Sequence, residues 1–182
     1  FNDPAYIDCL VESAKPWLSK PFDKILFSYH GVPERHLRKG DASKAHCTKV
    51  KDCCLQASPS HANCYKHQCV QTTLLFAKRA GLSPDKFEMS FQSRFGPEKW
   101  VPPYTDERFE ALPSEGVKKL LVMCPAFTAD CLETIEEISE EGKEDFLHAG
   151  GESFKQIPCL NDQDVYVKYL ADRAAAWKPN HV

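Results

Sequence analysis

Three short segments are predicted to be strands: KILFSYH at 24–30, which is almost wholly apolar, KFEMSFQ at 86–92 and KKLLVMC at 118–124. Apolar runs of this length are typical of strands that are covered on both faces of a sheet. Segments whose apolar residues recur at helical spacing separate them. Strands that alternate with helices predict a parallel sheet wound in βαβ units, so the expected fold class is α/β.

The helical segments carry recognisable end signals. Helices are predicted at 4–18, where Pro4 suits the first turn, and at 69–82, which Gly81 would close in a left-handed conformation. A third is predicted at 105–116 with Thr105 or Asp106 as its N-cap, and a last one at 162–177. The segment at 31–41 is expected to be a loop or a broken short helix, and the pattern assigns no element to 150–161.

The acidic segment, DCLETIEEISEE at 130–141, closely follows the third run, and six of its twelve residues are carboxylic acids. A helix starting at Thr128 or Asp130 would place Glu133, Glu137 and Glu141 on one face, because they recur at i, i+4 and i+8. One interpretation is a solvated face. The functional alternative is that Glu133 is buried near the strand end and that the other two pass a hydrated divalent cation inward through oxygen ligands.

Residues that could bind a ligand or take part in catalysis follow all three predicted strands. Ligands of parallel α/β sheets bind beyond the carboxyl ends of the strands, and His30, the segment 92–94 and the segment 127–133 lie at those ends. His30 is either a structural residue or, opposite Glu133, a base or cation ligand near neutral pH. A flat, carboxylate-bearing ligand could use Arg94 as an ion partner and Trp100 as an apolar wall, with Ser93 beside them.

The length and the charge of the chain limit the classes of protein to which it can belong. The 182 residues suit one domain, the net charge is −3, and the cations are scattered, which excludes a basic nucleic-acid footprint. The apolar runs are too short to span a bilayer, and no signal peptide is recognisable. Because the chain begins with Phe1 and not Met, we expect a fragment or a processed product.

Five of the nine cysteines, Cys47, Cys53, Cys54, Cys64 and Cys69, fall in the pattern C-x5-C-C-x9-C-x4-C. The odd count and the clustering favour a metal site over a disulfide framework. Free thiols are the plain alternative. We expect the histidines other than His30 to have no catalytic role; these are His36, His46, His61, His67, His148 and His181.

Four segments together resemble the C-terminal half of ferrochelatases, which insert Fe²⁺ into porphyrins: FSYHGVPERHLRKGD, SFQSRFGPEKWVPPYT, CPAFTADCLETIEEI and GGESFKQIPCLND. The resemblance covers nearly the whole chain, in order. It implies a flavodoxin-like, chelatase-type domain, one of two similar domains, over residues 1–182, with a cysteine-rich insertion at about 42–69. The N-terminal domain would then be absent from this chain.

The resemblance also implies roles for individual residues. His30 matches the active-site histidine of the family, and Glu133 matches the facing glutamate. Trp100 matches an aromatic residue that lines the macrocycle pocket, with Ser93 and Arg94 nearby. The remaining matches are Glu137 and Glu141 in the acidic line leading from the site, Asp130 at an acid that hydrogen-bonds near it, and Cys131 where some members carry a histidine.

The resemblance further implies a [2Fe–2S] cluster, since some ferrochelatases carry one. Cys47, Cys64 and Cys69 would bind it, with Cys54 as the fourth ligand and Cys53 as the alternative. Zinc is the second candidate, because a Cys₄ site also suits that ion. Metal insertion needs no electron, so we expect the cluster to act in stability or sensing.

We expect a ferrochelatase that uses protoporphyrin IX or coproporphyrin III, with Fe²⁺ as a substrate and the N-terminal half of the same polypeptide as a partner. The alternatives are a cobalt or nickel chelatase for another tetrapyrrole such as sirohydrochlorin, and a non-catalytic tetrapyrrole- or cluster-binding module. The resemblance implies a cytoplasmic location and leaves open peripheral contact with the inner membrane. The oligomeric state is left open too.

Overall fold

The computed structural model describes residues 1–177 and contains one four-stranded sheet. The strands are β1 (Lys24–His30), β2 (Phe87–Gln92), β3 (Lys119–Met123) and β4 (Ser153–Gln156). Their order is β2-β1-β3-β4, and each neighbouring pair is parallel. The predicted α/β class is therefore confirmed. The sequence pattern missed β4, because Phe154 is the one residue of this edge strand that is buried.

The helices are α1 (Pro4–Leu18), α2 (Glu34–Gly40), α3 (Tyr65–Ala80), α4 (Thr105–Ala111), α5 (Leu132–Thr134), a π-helix (Ile135–Gly142), α6 (Lys143–His148) and α7 (Asp164–Ala176). Two predicted end signals are confirmed: Pro4 lies in the first turn of α1, and Gly81 closes α3 with a φ of 69°. Within the described part of the chain, no helix is both long and apolar enough to cross a membrane. His181 lies outside the described residues.

The third helix differs from its prediction at both ends. It stops at Ala111 rather than near residue 116, and Tyr104 occupies the N-cap position without a side-chain cap. The predicted cap Thr105 is buried, and its hydroxyl is 2.9 Å from the Ser28 hydroxyl and 2.8 Å from that of Ser90. The Thr105 hydroxyl therefore bonds with the buried Ser28 and Ser90 and does not cap the helix.

The sheet separates two apolar cores because successive side chains of a strand point to opposite faces. Ile25 and Phe27 of β1 join the core beneath α1 and α3. Leu26 joins the other core, which α4 and α6 cover. His30 is four residues after Leu26, so both lie on the same face of the sheet. This is the face that carries the acidic segment.

The acidic segment is not the regular α-helix that the spacing predicted. After the three residues of α5 it continues as a π-helix, whose bonds run from i to i+5. Its N-cap is Cys131 rather than Thr128 or Asp130. Glu133, Glu137 and Glu141 therefore do not form one straight row, because residues four apart no longer lie directly above one another.

Gly142 ends the π-helix where it meets α4. A methyl group at this position would lie 2.3 Å from Cε2 of Phe109, which is itself buried in the core. We expect Gly142→Ala to lower the free energy of unfolding by about 1–3 kcal/mol through overpacking. Gly40→Ala is the matched control, since its methyl group would meet the Asn63 carbonyl at an ordinary 3.6 Å. Equal denaturation midpoints for the two variants would contradict this packing.

Candidate active site

His30 ends β1 with its imidazole half-buried at the carboxyl edge of the sheet. Its Nδ1 is 2.7 Å from the carbonyl oxygen of Gly31. A carbonyl can only accept, so Nδ1 must carry the hydrogen. The neutral ring therefore keeps its lone pair on Nε2, which suits a base or a cation ligand.

Two aromatic rings flank the imidazole. The centroids of Trp100 and Phe127 each lie 6.4 Å from that of His30. Trp100 can approach because residue 31 is glycine: a methyl group there would be 3.0 Å from Cε3 of Trp100 and 2.9 Å from the Gln92 carbonyl. The indole N–H donates to the Phe95 carbonyl at 2.9 Å, which fixes the ring plane. These rings form an apolar wall beside His30.

Glu133 lies within electrostatic range of His30. Its own backbone N–H lowers the pKa of the carboxyl, and the Cys131 thiol and the His30 imidazole contribute in the same direction. The sequence interpretation placed Glu133 in a buried position, but the side chain is half-buried. It is therefore a carboxylate that remains ionised at neutral pH and is open to an approaching cation.

Gln92 ties the acidic segment to the end of the sheet. Its side-chain Nε2 donates to the Glu133 carbonyl at 2.7 Å, and its Oε1 accepts from the Ser28 hydroxyl at 2.7 Å. Gln92 is 3% exposed. The amide thus fixes the backbone of Glu133 relative to β1 and β2.

Glu137 is turned toward the end of β2. Its carboxylate accepts from the backbone N–H of Ser93 at 2.6 Å, from the Ser93 hydroxyl at 2.5 Å and from Gln92 Nε2 at 3.2 Å. Ser93 has a φ of 61°, an uncommon conformation for a residue other than glycine. The bonds to Glu137 hold it in this conformation.

Glu137 and Glu141 line a cavity of about 230 Å³ between the π-helix and α4, here called the acidic cavity. Asp106 and Asp145 are also part of its wall. The structure thus brings two predicted glutamates together in an acidic space, while His30 and Glu133 lie outside its lining.

Arg94 is already paired within the chain. Its guanidinium contacts the carboxylates of Asp106 and Glu107 and stacks 4.2 Å from the ring centroid of Tyr104. Ser93 likewise uses its hydroxyl for Glu137. Of the three residues predicted to contact a flat ligand, Trp100 is the one that this arrangement leaves beside His30.

Asp130 is held by a partner that sequence reasoning missed. Asn161 Nδ2 donates to the Asp130 carboxylate at 2.7 Å, and Asn161 Oδ1 accepts from the Asp130 backbone N–H at 2.8 Å. Burial alone would raise the pKa of Asp130, but hydrogen bonds from Asn161, Cys159 and Thr134 lower it. These contacts fix the start of the acidic segment; the sequence distance of 31 residues gave no signal for them.

The cysteine-rich insertion brings three thiols together. Cys47, Cys54, Cys64 and Cys69 are all buried, whereas Cys53 is half-buried. A hydrogen bond from Cys54, with others from Cys47 and the first amides of α3, lowers the pKa of the Cys64 thiol. Cys64 is the N-cap of α3, where the helix dipole favours a thiolate.

Thiols are suitable metal ligands, but these thiols are not arranged as the ligands of a bound metal ion are. Among the described residues, no three cysteine, histidine, aspartate or glutamate side chains are arranged as a metal-holding group. Cys69 lies farther along α3, and burial raises the pKa of its thiol to about 12. A metal would therefore require these thiols to move from the positions that they have in this structure.

Asp41 holds together the part of the insertion around Cys47. Its carboxylate accepts from the backbone N–H groups of His46 and Cys47, each at 2.9 Å, and from the Ser60 hydroxyl at 2.6 Å. Hydrogen bonds from Ser43 and Ser60 lower the pKa of this carboxyl. One buried carboxylate thus joins three parts of the loop.

Tyr65, the first residue of α3, connects the insertion to the site. Its hydroxyl donates to the backbone carbonyl of His30 at 2.9 Å. The sequence interpretation did not identify this contact, because the two residues are 35 positions apart and Tyr65 reads as part of the cysteine-rich stretch.

Known proteins cover the chain almost completely. The family model described as ferrochelatase matches residues 1–176. A ferrochelatase from Opitutus terrae is 54% identical over 97% of this chain and 51% of its own length, and one from Ectopseudomonas mendocina is 54% identical over 96% and 52%. One from Pseudomonas fluorescens is 52% identical over 94% and 50%. The chain therefore spans about half the length of the curated relatives it matches.

The contact between Ser93 and Glu137 can be tested by removing one hydroxyl. We expect Ser93→Ala to lower the free energy of unfolding by about 1–2 kcal/mol, because hydrogen bonds to charged groups are stronger than neutral ones. Ser114→Ala is the control, since its hydroxyl donates to the Ala111 carbonyl within one exposed turn. Chemical denaturation of both variants measures the difference, and identical losses would argue against this contact.

Proposed function

Since the chain belongs to the ferrochelatase family, we propose that it forms the C-terminal half of an enzyme that inserts Fe²⁺ into a porphyrin. The relatives are about twice as long. Large apolar side chains are exposed next to the site, namely Phe95, Leu132 and Ile135. An N-terminal half packed against them would supply the second wall of a porphyrin cleft.

The observation that carries this proposal is the state of His30. Its Nδ1–H is committed to the Gly31 carbonyl, so the lone pair of the neutral ring is on Nε2, and the rings of Trp100 and Phe127 lie close to the imidazole. Glu133 supplies a carboxylate within electrostatic range. A nitrogen base, an anion and a flat apolar wall are what the metalation of a planar macrocycle requires.

In the proposed reaction, Fe²⁺ replaces two pyrrole N–H protons, so the two charges of the cation balance the two protons released. Nε2 of His30 accepts the two pyrrole protons one after the other and passes each to solvent. Glu133 exchanges one hydration oxygen of the cation for a carboxylate oxygen. Trp100 presses on the macrocycle face and favours a bent ring whose nitrogen lone pairs are exposed.

We further propose that Glu137 and Glu141 deliver the cation. Both line the acidic cavity, whose wall includes carboxylates from three helices: α4, the π-helix and α6. Carboxylate oxygens are the ligands that replace water on a hard divalent cation. Because Ser93 and Gln92 hold Glu137, its release from them would accompany transfer of the cation toward Glu133.

For the insertion we propose a [2Fe–2S] cluster bound by Cys47, Cys54, Cys64 and Cys69, with zinc as the alternative metal. The burial of these four thiols and the thiolate character of Cys64 support this ligand set. The half-buried Cys53 is the weaker candidate. Metal insertion transfers no electron, so the cluster would stabilise the insertion or sense the redox state.

The substrate class would be protoporphyrin IX or coproporphyrin III, whose carboxylates need cationic or hydrogen-bonding partners. Because Arg94 is already paired with two carboxylates, we propose that the N-terminal half supplies part of this recognition. A cytoplasmic location, with peripheral contact with the inner membrane, completes the proposal.

The role of His30 is testable in the complete polypeptide. We expect His30→Ala to bind porphyrin and to lose metalation by about 10²–10⁴-fold, the usual contribution of a general base. Binding is measured by porphyrin fluorescence and insertion by the absorption change on adding Fe²⁺. His36→Ala, an exposed histidine on α2, is the matched control. Unchanged turnover of His30→Ala would refute the role, and binding without insertion by the parent protein would support a non-catalytic module instead.

The cluster proposal predicts a coloured protein with equal amounts of iron and acid-labile sulfide. We expect Cys54→Ser to lose the visible absorption and Cys53→Ser to retain it, because Cys54 lies with Cys47 and Cys64 in the interior. Absorption spectra and metal analysis of the purified proteins decide the matter. A colourless parent that contains zinc would reject iron–sulfur and retain a Cys₄ metal site.

A further inference from the structure

Three imidazoles in the insertion converge on two consecutive peptide carbonyls. Nε2 of His46 and Nε2 of His61 each lie 2.8 Å from the carbonyl oxygen of Cys53. Nδ1 of His67 lies 2.8 Å from the carbonyl oxygen of Cys54. The three rings come from separate parts of the chain, so this convergence is a tertiary arrangement.

The rings also support one another. His61 and His67 stack with centroids 3.7 Å apart and an interplanar angle of 13°, and His46 meets His61 edge-on at 5.3 Å. Each ring nitrogen at a carbonyl must be the protonated one, because a carbonyl oxygen can only accept. With two donors, the Cys53 oxygen uses both of its lone pairs. This group, the three-histidine cap, consists of His46, His61 and His67.

The cap fixes the peptide planes that follow Cys53 and Cys54. Because the peptide planes on either side of a Cα set the direction of its side chain, holding these two carbonyls also restrains the directions of the two thiols. The Cys54 thiol is 7% exposed and lies within hydrogen-bond reach of Cys64, whereas Cys53 stays half-buried. Rotation of the two carbonyls is the motion that would exchange these thiols, and the cap opposes it.

We propose that His46, His61 and His67 are positioning residues that select Cys54 over Cys53 as the inward thiol of the insertion. The proposal deepens the proposed cluster site and rests on it for its biological meaning. Its structural content is independent of any bound metal, because the hydrogen bonds are made by the chain itself. Asp41 fixes the Cys47 side of the loop, and the cap fixes the Cys53–Cys54 side.

The test compares two sets of variants in the complete, reduced and metal-free polypeptide. One set replaces the three histidines with alanine. The other is His46→Gln, His61→Gln and His67→Asn, whose amide nitrogens occupy the places of the donating ring nitrogens. His36→Ala and His148→Ala are controls, since both residues are exposed and outside the insertion. Circular dichroism and thermal melting establish that each protein is folded.

The readout is the ratio of the alkylation rates of Cys53 and Cys54 by iodoacetamide. Both thiols fall in one tryptic peptide, 52–66, and fragmentation in a mass spectrometer distinguishes them. In the parent and the controls we expect Cys53 to react about tenfold faster than Cys54, because reactivity follows exposure. In the alanine set the ratio should fall toward one, and the amide set should restore it.

A ratio that stays at the parent value in a folded alanine set would overturn the proposal. So would an amide set that behaves like the alanine set. If the triple alanine variant is unfolded, the single variant His67→Ala, which frees the Cys54 carbonyl alone, is judged by the same ratio. Iron and sulfide analysis of the parent is a separate measurement: a parent without a cluster, but with a histidine-dependent ratio, would reject the cluster and retain the positioning role.

Discussion

The candidate site depends on one buried amide. Gln92 sits at the carboxyl end of β2, accepts from Ser28 of β1 and donates to the backbone of Glu133. A primary amide is suited to this place because it is both donor and acceptor in fixed directions. A carboxylate or an apolar side chain would leave a buried partner unsatisfied, at a cost of about 1–3 kcal/mol. This side chain therefore fixes the position of the start of the acidic segment relative to the sheet.

The π-helix follows from the same attachment. The Glu133 carbonyl is drawn to Gln92, and four residues later the Glu137 carboxylate is drawn to Ser93. Both contacts pull the segment toward the end of β2, and the wider turn of a π-helix accommodates them. The result is a division of the three predicted glutamates: Glu137 and Glu141 line the acidic cavity, and Glu133 lies outside its lining.

Sequence reasoning placed His30 and Gln92 at the same edge of the sheet because the end of a parallel strand is a local signal. The apolar run that ends at His30 and the run that ends at Gln92 were sufficient to place both on one edge. Sequence-based prediction was wrong where a partner that is distant in sequence determines the local geometry. The spacing of Glu133 and Glu137 suggested a regular helix, since nothing in the segment itself records the pull from Ser93.

The predicted cap of α4 was wrong for the same reason. Thr105 is a good N-cap by residue type, but two serines from neighbouring strands already use its hydroxyl. The spacing of Cys53 and Cys54 does not distinguish them, and the choice of Cys54 as the ligand stays a prediction. In the structure Cys54 is the buried one, and imidazoles 7, 8 and 13 positions away contact the two carbonyls. Residue type predicts what a side chain can do, and the tertiary partners decide which of its options is used.

The insertion and the active site are mechanically connected. Cys64 caps α3, and the next residue, Tyr65, donates its hydroxyl to the carbonyl of His30. The hydrogen bond from His30 Nδ1 goes to the next carbonyl along, that of Gly31. A ligand that fixes Cys64 therefore also restricts Tyr65, and through it the peptide that orients the imidazole. The metal group proposed for the insertion would therefore act on the proposed proton transfer at His30 through this restraint, without donating an electron. On this proposal, a cluster could support a reaction that involves no change of oxidation state.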